Sequence, residues 1–141
     1  MRRKASAVWS GGIKDGKGRI STESGVLDNT RYSFGTRFEN GKGTNPEELI
    51  AAAHAACFAM ALSGQLGKVG MTADSISTTA SVTLDKSGDA FAITSVHLDV
   101  AARIPGAERE AFEKAAKNAR DGCPVSKLLN ASITMDARLE S

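Results

Sequence analysis

The chain holds only two cysteines, Cys57 and Cys123, and two histidines, His54 and His97, so thiol chemistry here must run through very few side chains. A thiolate can attack a peroxide, and a second thiol can then close a disulfide with the oxidised first one. Cys57 stands midway along the most apolar stretch, where a free cysteine is commonly just a small buried hydrophobe. Cys123 precedes Pro124 at an expected helix start, where backbone N–H groups and the helix dipole favour thiolate. On residues alone the pair could be redox-active, a structural crosslink or two inert thiols. A peroxide-reducing cysteine also needs a cation to keep it ionised and a carboxylate to hold that cation. Arg37 and Glu47 are candidates for these jobs. They fit equally a solvated strand arginine and a first-turn glutamate that favours the helix dipole.

Other chemistries fit less well. His54 and Cys57 are one helical turn apart and could face a metal together with Cys123, but neither C-x-x-C nor H-E-x-x-H spacing occurs. No metal site is expected. His54 as the base of a Cys-His hydrolase would need an oxyanion hole and an orienting third group, and no residue marks either. Gly35 to Lys42 imitates a phosphate loop, yet five residues separate Gly35 from Gly41 where four are needed, and Gly43 occupies the Ser/Thr position.

The elements that must position these residues follow from periodicity and turn chemistry. Residues 4–10 and 19–22 are expected to form strands joined by a Gly/Asp/Lys turn, followed by a strand over 32–38. Its alternation puts Tyr32, Phe34, Thr36 and Phe38 on one face and Arg37 on the other. After a flexible, solvated loop at Gly41–Thr44, Asn45-Pro46-Glu47-Glu48 predicts a helix start, with Asn45 capping, Pro46 in first position and Glu48 closing a capping box. From Leu49 to Gly67 no side chain carries a fixed charge. A membrane span needs about 20 strongly apolar residues, and this alanine-rich segment includes His54, Ser63, Gly64 and Gln65, so a long buried central helix is expected instead. Its small residues would let a second helix approach, as in a core shared by two subunits.

A hairpin follows over 75–85 and 91–103. The apolar parity changes between Phe91/Ile93 and Val96/Leu98/Val100, which suggests a bulge. His97 then lies on the face opposite the apolar residues. Residues 107–120 form a helix with Phe112, Ala115, Ala116 and Ala119 on one stripe, Cys123-Pro124 opens a short helix to Leu129, and Ile133 to Leu139 marks a last strand. The expected class is α+β with a mostly antiparallel sheet and helices on one side.

Length and charge narrow the partners. The 141 residues suit one domain, 1–141, with a sizeable core. Eighteen basic against sixteen acidic residues and 5% aromatics argue against nucleic acid as a partner. The polar start after Met1-Arg2-Arg3-Lys4 is too short for a secretory signal, so a cytoplasmic protein is expected, in a compartment where thiols stay reduced.

Nearly end to end, the chain resembles the osmotically inducible protein C (OsmC) family. The resemblance is carried by Ser21-Thr22-Glu23-Ser24-Gly25-Val26-Leu27, Phe34-Gly35-Thr36-Arg37-Phe38, Gly43-Thr44-Asn45-Pro46-Glu47-Glu48-Leu49, Ala52-Ala53-His54-Ala55-Ala56-Cys57-Phe58 and Gly122-Cys123-Pro124-Val125-Ser126. His54 stands where the sister organic hydroperoxide resistance (Ohr) branch usually carries tyrosine, which favours the OsmC branch. The resemblance implies a cofactor-free thiol peroxidase for organic hydroperoxides, an intertwined homodimer reset by an external dithiol. It places Cys57 on the peroxidatic cysteine, Cys123 on the resolving cysteine, and Arg37 and Glu47 on the arginine–glutamate pair. Glu47 and Cys57 are ten residues apart, about 15 Å along one helix at about 1.5 Å per residue, so both can serve one reaction only if the partner subunit brings Glu47.

Overall fold

A computed structural model describes residues 1–140. The chain divides into two compact units, Met1–Leu49 and the segment from Ile50 onward. In the first unit, β1 (Ala5–Ser10), β2 (Lys17–Thr22) and β3 (Thr30–Tyr32) form an antiparallel sheet in that order. Gly18 pairs with Tyr32, and a Cβ at position 18 would collide with the tyrosine ring, so the close approach requires glycine there. Every residue of β1 is exposed within the chain.

The strand expected over 32–38 ends at Tyr32, and Phe34–Phe38 form a short helix, α1. The cause is local hydrogen bonding. Thr36 N–H donates to Ser33 Oγ at 3.2 Å and Ser33 N–H donates to Thr36 Oγ1 at 2.8 Å, a reciprocal cap that outweighs the period-2 alternation. Arg37 therefore does not face away from the aromatics. Its guanidinium carbon lies 5.2 Å from the centre of the Phe38 ring, which itself sits 4.9 Å from that of Phe34.

The connection after α1 is tied down rather than loose: Gly41 N–H donates to Gly35 O, Thr44 N–H to Arg31 O, and Asn45 Nδ2 to Thr36 O. The long helix α2 (Pro46–Lys68) then starts with Glu48 N–H donating to Asn45 Oδ1 at 2.7 Å. The Glu48 carboxylate accepts from the Thr44 hydroxyl at 2.8 Å instead of completing the expected box with the Asn45 N–H.

In the second unit, β4 (Ser75–Ser87) and β5 (Ala90–Arg103) pair antiparallel, and β6 (Ser132–Glu140) joins β5 in parallel. The strands thus make two three-stranded sheets with one parallel pair, inside the α+β class. The bulge is real: Thr83 pairs with Ser95 and Leu84 with Ile93, leaving Thr94 as the extra residue where the apolar parity changes. Between β5 and β6 lie α3 (Arg109–Gly122) and α4 (Pro124–Leu128).

The core of this unit joins Phe58, Leu62 and Leu66 of α2 to Val96, Leu98 and Val100 of β5 and to Phe112, Ala115, Ala116 and Ala119 of α3. On α2 only the stripe His54, Phe58, Leu62 and Leu66 is fully buried. Ala53, Ala56, Met60 and Gly64 are exposed, so within one chain the helix is buried along one side rather than all round. By length and composition α2 is apolar enough to cross a membrane, but its buried stripe is part of a folded core against a sheet.

Candidate active site

The second unit brings the two cysteines together. Cys57 lies on α2 beside the core residue Phe58 and is half-buried, while Cys123 is fully buried at the junction of α3 and α4. That junction is set by its own backbone: Cys123 N–H donates to Ala119 O at 2.9 Å, closing α3, and Cys123 O accepts from Lys127 N–H at 3.1 Å, opening α4. Pro124 occupies the start of α4, where no N–H is needed. The thiols are free, with Cys123 Sγ donating to Cys57 Sγ at 2.9 Å. Bonded sulfurs lie about 2.05 Å apart, so a small closing movement separates this contact from a disulfide.

Burial pushes the Cys57 thiol above its ordinary range and the neighbouring Cys123 adds to the rise, while a hydrogen bond from the Val125 backbone amide works against both. The Cys123 side chain makes no capping hydrogen bond. An amide at the start of α4, that of Val125, serves the other sulfur, Cys57.

His54, one turn before Cys57, is fully buried. Its Nε2 lies 2.7 Å from Ser126 Oγ and its Nδ1 has no partner among the described residues. Burial lowers its pKa, so the ring stays neutral around pH 7. His54 Nε2 is taken up by Ser126, and His54, Cys57 and Cys123 do not form a cluster able to hold a metal ion among the described residues. Among the described residues, the one cluster with that potential is His97, Asp99 and Asp136 on the outer face of β5 and β6. There His97 Nε2 is 3.1 Å from Asp136 Oδ2 and its Nδ1 is 2.6 Å from Thr134 Oγ1.

The first unit holds the arginine–glutamate pair. Arg37 Nε and Nη2 both donate to Glu47 Oε1, at 2.9 and 2.7 Å. Glu47 Oε2 is buried and unpartnered among the described residues. Of the five guanidinium N–H groups, this pairing uses two and leaves three for another acceptor. Arg37 also lines a cavity of about 240 Å³ whose other walls include Trp9, Ile13, Tyr32, Phe34 and Phe38. An apolar pocket with a single cation suits a molecule with an apolar body and one polar end.

Of the four residues singled out for chemistry, the fold pairs Cys57 with Cys123 and Arg37 with Glu47. Three features were not foreseen: the Val125 amide, the Ser126 hydroxyl and the aromatic pocket. A signal for Ser126 existed, since it stands one helical turn after Cys123 as His54 stands one turn before Cys57.

Residues 39–138 match the family model described as OsmC-like protein. The chain is 54% identical over 141 residues to "Peroxiredoxin OsmC" of Escherichia coli (strain K12), covering 100% of this chain and 99% of that protein. It is 32% identical over 124 residues to "Organic hydroperoxide resistance protein OhrB" of Bacillus subtilis (strain 168), covering 87% and 88%. Among solved structures, an organic hydroperoxide resistance protein from Elizabethkingia anophelis superposes with a TM-score of 0.72 at 25% identity, covering 99% of each chain.

Proposed function

Since the chain belongs to the OsmC family, we propose that it is a thiol-dependent peroxidase that reduces organic hydroperoxides to alcohols and protects against oxidative stress. The observation that carries this reading is the contact between two free thiols, with sulfurs 2.9 Å apart, in a chain 54% identical to a protein named peroxiredoxin. Residues 1–141 act as one peroxidase domain and need no cofactor.

The reaction runs in balanced steps. The Cys57 thiolate attacks the distal oxygen of the hydroperoxide, forming an S–O bond as the O–O bond breaks, and the leaving alkoxide takes a proton to depart as alcohol. The Cys123 sulfur then attacks the Cys57 sulfenic acid, forming the S–S bond as the S–O bond breaks, and hydroxide leaves as water with the Cys123 proton. An external dithiol restores both thiols by exchange. Arg37 lowers the Cys57 pKa and polarises the peroxide, and Glu47 holds Arg37 in place. The aromatic pocket takes the substrate's tail, each Å² of apolar surface removed from water contributing about 25 cal/mol. Organic hydroperoxides are therefore favoured over hydrogen peroxide.

The active unit is an intertwined homodimer in the cytoplasm, with Arg37 and Glu47 of one subunit serving Cys57 of its partner. Two surfaces favour this assembly. The Ala53, Ala56, Met60 and Gly64 side of α2 is apolar and exposed, with Met60 at 78%, and β1 has no buried residue in its own chain. A small sheet needs a covered face for stability, and a second copy would provide it.

The test is hydroperoxide consumption with excess dithiol. Wild type should turn over cumene hydroperoxide faster than hydrogen peroxide, and Cys57→Ser should abolish turnover. Equal, negligible rates in both proteins would leave a binding protein for small apolar ligands as the better reading.

A further inference from the structure

His54 and Ser126 have no part in the bond-making steps, yet each stands one helical turn from a reacting cysteine. We infer that their hydrogen bond is a clasp that holds α4, and with it Cys123, against α2, and so sets the rate of disulfide closure. This rests on the reading of Cys57 and Cys123 as a redox pair.

The weakness of α4 is the first reason. It has five residues, none of them fully buried, and Leu128 is 79% exposed, so apolar packing does little to fix it. Among the described residues, three hydrogen bonds join α4 and its cap to α2: the sulfur contact, the Val125 amide on the Cys57 sulfur, and the 2.7 Å contact between His54 Nε2 and Ser126 Oγ. Once Cys57 is oxidised to a sulfenic acid, the S–H···S contact is lost. Of the three bonds, the clasp is the one that does not run through the oxidised sulfur, so it still ties α4 to α2 while the disulfide forms.

The state of His54 is the second reason. A fully buried imidazole with one unpartnered nitrogen is least strained when that nitrogen is the lone-pair acceptor, because an unbonded buried N–H is the costlier orphan. Nε2 therefore carries the hydrogen and donates it to Ser126 Oγ. With Nε2 committed, His54 is a strut and not a base for either thiol. Its ring belongs to the same buried stripe of α2 as Phe58, Leu62 and Leu66, so one end of the clasp is anchored in the core and the other end holds the short, exposed α4.

The proposal separates two kinetic steps. Reduced protein mixed with one equivalent of cumene hydroperoxide is followed by peroxide loss for the attack, and by disappearance of dimedone-reactive sulfenic acid for the closure. In Ser126→Ala the attack should change by less than about twofold while closure slows about tenfold, in line with loss of one buried hydrogen bond. Over-oxidised Cys57 should rise in the mass spectrum as closure lags. Ser126→Thr, which keeps the hydroxyl, should restore closure. Unchanged closure in Ser126→Ala overturns the inference, as does a loss of both steps together that threonine does not rescue. A second measurement omits peroxide. Equilibration of the Cys57–Cys123 pair with glutathione gives its effective molarity, which should fall about tenfold in Ser126→Ala. A wild type that consumes no hydroperoxide sinks the peroxidase reading, whereas an unchanged effective molarity sinks the clasp.

Discussion

Cys123 is fully buried and Cys57 half-buried beside Phe58, whereas Arg37 leaves 39% of its side chain in solvent and meets Glu47 through one carboxylate oxygen. The thiol region is organised by core packing, and the packing suppresses its chemistry, since burial holds the Cys57 proton on. The ion-pair region is organised by charge. It offers unused guanidinium donors and an apolar pocket but neither of the two cysteines. Each region lacks what the other provides. In the proposed homodimer the ion pair of one subunit serves the thiols of its partner, which completes two sites at once.

The strongest way to break that comparison is subunit complementation. Cys57→Ser and Arg37→Ala proteins should each lose at least about 100-fold in turnover, the second through the missing cation. Mixed in equal amounts and allowed to exchange, they form heterodimers with one intact pair of halves, so roughly a quarter of wild-type turnover should return. No recovery despite exchange, seen by native mass spectrometry, would mean that Arg37 serves the cysteine of its own chain.

The same contrast should appear in stability. Phe58→Ala empties a fully buried position in the core that carries Cys57 and should cost about 3–5 kcal/mol. Arg37→Met removes a partly solvated cation but leaves the 12%-exposed Glu47 without its partner, so it should cost less, about 2 kcal/mol or less. Urea denaturation of reduced proteins measures both, and comparable losses would show that the ion pair is structural.

These two regions were also unequally legible. The Asn45-Pro46 helix start, the Phe112/Ala115/Ala116/Ala119 stripe and the bulge near Thr94 could be read because each is written in local chemistry or in a change of period. The Cys123-Pro124 junction was legible for the same reason. The stretch around Arg37 misled because alternating aromatics imitate a strand while Ser33 and Thr36 cap a helix turn, and two side-chain hydrogen bonds decide between them. Alternation in β6 gives its buried face but not its direction beside β5. The clasp was hidden by distance, since His54 and Ser126 are 72 residues apart and the pairing exists only once the core has folded.

A smaller effect, within the thiol region, concerns pH. Burial lowers the His54 pKa from its ordinary 6.5. The unfolded chain then binds a proton that the folded chain refuses, so the stability contributed by neutral His54 is present above 6.5 and lost as pH falls through the folded pKa. Cys57 has the opposite sense: its pKa is raised from 9.0, so its contribution is present below that value and lost as pH rises through the folded pKa. Stability should therefore fall from about pH 7 to about pH 5 more steeply in wild type than in His54→Gln, whose amide keeps a donor toward Ser126 but does not titrate. Denaturation midpoints of both proteins across this range decide the point. Parallel curves would mean that His54 is reached by solvent before unfolding, and a strut reached by water could not hold α4 in place.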